Sequence, residues 1–136
     1  DTFKPVGEPK NIDCDIICMA VGLTPTCELL WQAGAEMRFV PQLCGYVPLR
    51  SDDMRTSNPD FWVAGDAAGI EEASAAMVEG QLAGLFAAAS LRYGDEDDIR
   101  EKSRHLRERL ENLRAGEVGA KIRSGLEEVC QTCWEV

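Results

Sequence analysis

The stretch TSNPDFWVAGDAAGIEEASAAM, Thr56 to Met77, decides how the rest of the chain is read. Four apolar residues, Phe61-Trp62-Val63-Ala64, run into Gly65-Asp66, and an alanine-rich segment follows at once. The apolar run predicts a buried strand, and residues 70–91 predict a helix crowded with small side chains that let it lie close to its neighbours. Gly65 removes a side chain where the backbone must turn or a ligand must approach, and Asp66 falls at the carboxyl end of the strand. Ligands of α/β sheets sit at that end. A carboxylate there accepts hydrogen bonds from sugar or polyol hydroxyls, while a helix start after Gly69 offers unpaired N–H groups to an electron-rich ring edge. Taken alone, Asp66 is equally well explained as a helix N-cap or a turn residue.

Working outward, IDCDIICMAV (12–21) is a short, β-branched apolar run closed by Gly22 and Pro25, which predicts a buried strand and a turn. CELLWQAGAEM (27–37) predicts a short helix with Thr26 as its N-cap and Gly34 as its stop. RFVPQLCGYVPL (38–49) contains two prolines, so edge strands around a turn at Gly45 are expected. RSDDMRTSNPD (50–60) is turn chemistry. The last third changes character. DEDDIREKSRHLRERLENLRAG (95–116) opens with acids that suit the positive end of a helix and places Ile99, Leu106, Leu110 and Leu113 on one stripe, with Gly116 as its end. Residues 117–136 repeat the pattern through Val118, Ile122, Leu126 and Val129.

The chain has 136 residues, of which 45% are hydrophobic and 28% charged, with a net charge of -10. It is long enough for one domain with a real core. The acidic surface repels phosphate backbones, so nucleic acid is not an expected partner. No apolar run approaches the ~20 residues of a membrane span. The six cysteines, Cys14, Cys18, Cys27, Cys44, Cys130 and Cys133, fall largely in or beside apolar segments. They read as cytoplasmic thiols rather than a disulfide framework. The first residues, DTFKPVGEPKNIDCD, predict that this is a piece of a longer polypeptide.

DCDIICMAVGLTPT (13–26), followed by RTSNPDFWVAGDAAGIEEASAAMVEGQLAG (55–84), resembles the C-terminal part of the two-dinucleotide-binding flavoproteins, the pyridine nucleotide-disulfide oxidoreductase superfamily. Within it, the run from Gly65 to Gly84 is most similar to the FAD-bearing subunits of opine oxidase, hydrogen cyanide synthase and sarcosine oxidase. The resemblance covers roughly residues 12–91. It implies an FAD domain built from two pieces of chain with an NAD(P)-type domain between them. Residues 12–26 would be the last strand of the inserted domain and the return to the FAD domain. Asp66 would meet the ribityl chain, Gly65 would permit close approach, and the backbone at Glu72 and Ala73 would face the pyrimidine edge of the flavin ring. The helix dipole would favour the negative charge that develops there on reduction. No G-x-G-x-x-G occurs in these residues, so the pyrophosphate-binding turn is expected upstream. This piece alone is therefore expected to bind FAD weakly or not at all and to be inactive. No redox cysteine pair of the thioredoxin reductase type is present.

Other residues carry weaker signals. Cys130 and Cys133 form C-x-x-C, which suits a redox dithiol or half of a metal or iron-sulfur site, yet one pair supplies only two ligands. His105 is the single histidine and is expected to face solvent on a charged helix. Glu71 and Glu72 fall where a first helical turn favours acids, and Glu79 in MVEGQ, within a helix whose small-residue face is expected to be buried, fits a packing role or an N-terminal hydrogen-bond role. The Ile99–Leu113 stripe is too short for a coiled coil and is expected to pack on its own domain or on another subunit. Arg104 with Glu108 and Arg107 with Glu111 are spaced for surface ion pairs.

The expected fold is α/β: a partial, Rossmann-like FAD-binding domain with short strands over residues 1–91, then a helical C-terminal hairpin over 92–136. The expected function is the ribityl- and isoalloxazine-contacting half of the FAD site of a flavin-dependent oxidoreductase, with Gly65, Asp66, Glu72 and Ala73 at the cofactor and no catalytic acid, base or metal ligand. Expected partners are upstream parts of the same polypeptide and another subunit or a second copy. The rival expectation is an acidic helical interaction module whose C-terminal C-x-x-C docks a partner or shares a metal centre.

Overall fold

The computed structural model describes residues 6–130. Its sheet consists of two strands, β1 (Met37–Val40) and β2 (Gly45–Pro48), paired antiparallel with Met37 opposite Pro48 and Val40 opposite Gly45. Between them Pro41–Leu43 form a single 3-10 turn, and Cys44 takes a left-handed conformation, φ 68°. Pro41 presets the backbone for that turn. The reversal thus falls one residue before the expected Gly45. Gly45 serves a different need, because a Cβ there would lie 2.9 Å from Pro25. Side chains alternate as the pleat requires: Val40 and Val47 point inward, whereas Phe39 and Tyr46 face out and meet edge to face with centroids 5.2 Å apart.

Helix α1 (Glu28–Gln32) begins one residue later than expected. Cys27, not Thr26, is its N-cap, and the Cys27 thiol donates to the Tyr46 carbonyl at 3.2 Å, which anchors the helix start to β2. Two expected strands differ from the fold observed. Residues 12–21 have no regular structure and are exposed, with Ile12 and Ile16 both 80% accessible. An apolar run becomes a strand only when a neighbour accepts its backbone hydrogen bonds, and among the described residues none lies beside it. The 61–64 run is likewise reduced. It makes one antiparallel bridge, Arg55 to Trp62, and the Val63 N–H donates to the Met54 carbonyl at 2.9 Å. Val63 is buried while Phe61 remains half exposed.

Three helices complete the fold: α2 (Ala73–Ser90), α3 (Glu96–Leu113) and α4 (Gly116–Val129). Helix α2 starts at Ala73 rather than at residue 70, because Gly65–Ala68 form a 3-10 turn and Gly69 takes φ 141°, which breaks helical continuity. Asp95 caps α3 by accepting hydrogen bonds from the Asp97 and Asp98 N–H groups. Gly116 opens α4 rather than ending α3, whose C-cap is Arg114.

The two terminal helices bury their stripes on different parts of the body. Leu110 and Leu106 of α3 join Ala75, Val78, Leu82 and Met54 around α2. Val129, Ile122 and Leu126 of α4 join Val40, Leu43, Val47 and Leu49 beneath the hairpin. Of the expected surface pairs on α3, Arg104–Glu108 forms at 2.6 Å, but Arg107 instead covers the Phe86 ring at 5.4 Å. A guanidinium over a ring keeps its edge hydrated while its face gains contact, whereas a wet ion pair gains little, so the ring wins. The architecture is mixed α/β with a small sheet and a helical C-terminal part.

Candidate functional site

Gly65 has φ +66°, a conformation strained for any residue with a Cβ, and a Cβ there would also lie 3.3 Å from that of Ala76. This lets the chain turn sharply from Val63-Ala64 into the 3-10 turn that carries Asp66. Asp66 is exposed, and its carboxylate has no hydrogen-bond partner among the described residues. Its carbonyl accepts from the Gly69 N–H at 3.3 Å, and Ile70 N–H donates to the Leu43 carbonyl, which fastens the segment to the hairpin turn.

Glu72 is the N-cap of α2, with extended backbone and no side-chain cap. The Ala75 and Ala76 N–H groups both turn to the Glu72 carbonyl, so the N–H groups of the first turn that remain face an exposed edge. Glu71 and Glu72 therefore lie before the helix, not in its first turn. Of the residues expected at a cofactor, Gly65, Asp66, Glu72 and Ala73 lie along one short segment whose Asp66, Glu72 and Ala73 are exposed. A cleft of about 480 Å³ opens beside it, lined by Gln42, Cys44, Glu72, Ser74 and Lys121. Asp66 and Ala73 do not line that cleft. Gln42 contributes a buried Oε1 with no partner among the described residues, while its Nε2 donates to Glu128 at 3.2 Å.

Directly behind this segment lies a buried ionic cluster that local sequence patterns do not reveal. Glu79 is fully buried. Its Oε1 accepts from Arg50 at 3.0 Å and from Arg114 at 2.6 Å, and its Oε2 accepts from the Gly65 N–H at 2.9 Å. Arg114 also grips Glu71, through Nε at 3.0 Å and Nη2 at 2.5 Å. Burial works against the Arg114 charge, but the hydrogen bonds and charges of Glu71 and Glu79 outweigh it, and its pKa is raised. The one available sequence signal was a lone glutamate among small residues at the helix's buried face.

Cys130 donates to Asp52 Oδ1 at 2.7 Å. Burial, then the hydrogen bond and charge of Asp52, push its pKa from 9.0 up to about 11. A thiol held in this state is a poor nucleophile and metal ligand. Cys133 lies outside the described residues, as does the rest of the C-x-x-C expectation. Among the described residues no group of three or more His, Cys, Asp or Glu could hold a metal. At about pH 8, iodoacetamide should label the exposed Cys14 and Cys18 before Cys130, as read by peptide mass spectrometry. Equal labelling rates would contradict the Asp52 contact. Because the folded-state value is the higher one, the stability this thiol contributes is intact below its ordinary value of 9.0 and is lost as pH rises towards about 11. His105 is exposed, as expected.

The exposed Asp66 carboxylate and the uncapped start of α2 thus lie together in a mixed α/β fold. Residues 4–80, more than half of the chain, match the family model described as pyridine nucleotide-disulphide oxidoreductase, and the chain belongs to that family. The fold is accordingly a partial Rossmann-like domain with a helical C-terminal part. Among curated proteins the chain is similar to an opine oxidase subunit of Agrobacterium tumefaciens (strain Ach5), 35% identical over 83 residues, which cover 61% of this chain and 16% of that protein. It is also similar to the corresponding opine oxidase subunit of Rhizobium meliloti, 32% identical over 89 residues, covering 65% of this chain and 17% of that protein. The matched stretch thus spans about a sixth of each relative. No solved structure gives a significant match. No described helix is long and apolar enough to cross a membrane.

Proposed function

We propose that this chain carries the ribityl- and ring-facing half of the FAD site of a flavin-dependent oxidoreductase, and that it works as part of a longer polypeptide. The observation that carries this reading is the unpartnered Asp66 carboxylate standing a few residues before the uncapped start of α2. The residues present fit the group. Gly65 keeps the backbone low at the point of approach, Asp66 has its hydrogen-bonding capacity free, and the first N–H groups of α2 point at an open edge.

In this reading Asp66 accepts hydrogen bonds from the ribityl hydroxyls, and the backbone at Glu72 and Ala73 donates to the pyrimidine edge of the ring. When bound, FAD supplies hydride-accepting chemistry at its ring system. The dipole of the 18-residue α2 adds partial positive charge at the edge where electron density accumulates. Nicotinamide dinucleotide as a second partner rests on the family alone. Residues 12–21, apolar and exposed, are read as a strand whose sheet belongs to the remaining polypeptide. Of the expected 92–136 tail, the described residues up to 130 are read as a helical clasp on the preceding portion, since α3 and α4 bury apolar side chains against it. A cytoplasmic setting rests on thiol usage.

The test is the visible absorption spectrum of the full-length protein as purified, beside that of its Asp66→Ala variant. Flavin bands in the native protein that are lost or strongly reduced in Asp66→Ala are expected. A native protein that stays colourless after reconstitution with FAD would sink the reading.

A further inference from the structure

We propose that Arg114, the C-cap of α3, is a positioning residue for the flavin-facing segment, so that the helical tail sets how well the cofactor is held. The inference rests on the FAD reading above and adds a residue that neither the sequence motif nor the family match, which ends at residue 80, contains.

The segment from Gly65 to Ala73 is held at both ends by the same guanidinium. At its start, the Gly65 N–H donates to Glu79 Oε2 at 2.9 Å, and Arg114 Nη2 holds the other oxygen of that carboxylate at 2.6 Å. At its end, Arg114 takes both oxygens of Glu71, at 3.0 and 2.5 Å, next to the helix N-cap Glu72. The side chains of Glu71 and Arg114 are only 8% and 12% exposed, so the contact is sheltered from screening.

The two ends do not depend on Arg114 equally. Glu79 keeps Arg50 at 3.0 Å if Arg114 is removed, and Gly65 therefore keeps its acceptor. Glu71 has no other hydrogen-bond partner among the described residues and is set loose. A freed carboxylate beside the positive end of a helix is drawn to its unpaired N–H groups. Those are the groups the flavin ring would use. Arg114 thus acts by keeping Glu71 from capping α2 in place of the cofactor.

The experiment measures the FAD dissociation constant and the flavin absorption spectrum in the full-length protein, with a thermal melt of each variant. Arg114→Gln should weaken FAD binding about tenfold or more and shift the flavin bands. Arg114→Lys should fall between it and the native protein. Glu71→Gln/Arg114→Gln should recover affinity relative to Arg114→Gln, because a neutral amide competes less well for the helix end. The inference is overturned if Arg114→Gln binds FAD within about twofold of native while Asp66→Ala does not, since the flavin site then stands without it. Equal loss in the single and double variants, tracking the drop in melting temperature, also overturns it by leaving only a structural role. A protein without flavin, or one indifferent to Asp66→Ala, overturns the FAD reading and this one with it.

Discussion

Replacing Glu79 with alanine should lower the unfolding free energy by about 3–5 kcal/mol, the cost of removing one partner from a buried ionic cluster. Urea unfolding should show the loss as a lower midpoint with an unchanged slope. The size follows from what is left behind. Arg50 is 3% exposed and its buried Nε has no partner among the described residues, so losing Glu79 strips the one side-chain hydrogen bond it makes among them. The Gly65 N–H, partly buried, loses its acceptor at the same time, which adds to the cost within that total. Arg114 retains Glu71 and suffers least. Glu79→Gln keeps an acceptor for Gly65 and should cost less than the alanine variant. If Glu79→Ala costs under about 1 kcal/mol, the cluster is not buried as described.

Leu43→Ala should cost about 2–5 kcal/mol and weaken the joint between the hairpin and the candidate site. Leu43 is 1% exposed in the cluster of Val40, Val47, Leu49 and Val129. It fits where two neighbours lack side chains: a Cβ on Gly69 would come within 3.1 Å of it, and one on Gly125 within 2.9 Å. The wedge therefore touches both the segment from Gly65 to Ala73 and α4. Its own carbonyl accepts from the Ile70 N–H at 3.2 Å, a bond that survives truncation of the side chain. The expected result is a lowered urea midpoint together with faster hydrogen exchange at Gly69 and α4, while α3, packed on the other cluster, is protected as before. Loss of protection spread evenly over both clusters would contradict two separate centres of packing.

Much of the helical part was legible because its signals are local. The stripe through Leu106 and Leu110, the acids at the start of α3 and the breaks near residues 94 and 115 lie within one or two turns of what they act on. The turn chemistry of residues 50–60 reads equally directly. Gly65, Asp66, Glu72 and Ala73 were named from a local motif because they are close in sequence, whereas the start of α2 at Ala73, three residues later than expected, depends on the 3-10 turn and the Gly69 conformation before it.

What the sequence by itself determined is the set of elements whose cause lies in neighbouring residues: the helices, the stripe through Leu106 and Leu110, a turn at Gly65 and the carboxylate that follows it. Only the tertiary structure decided which charges are buried and what they hold. Arg50 meets Glu79 across 29 residues, and Arg114 meets Glu71 across 43, so no local window contains both partners. The same limit explains why IDCDIICMAV, apolar enough for a core strand, lies exposed. Alternating or β-branched residues set a strand's faces, but its hydrogen bonds belong to a neighbour, and whether that neighbour is beside it is a property of the fold.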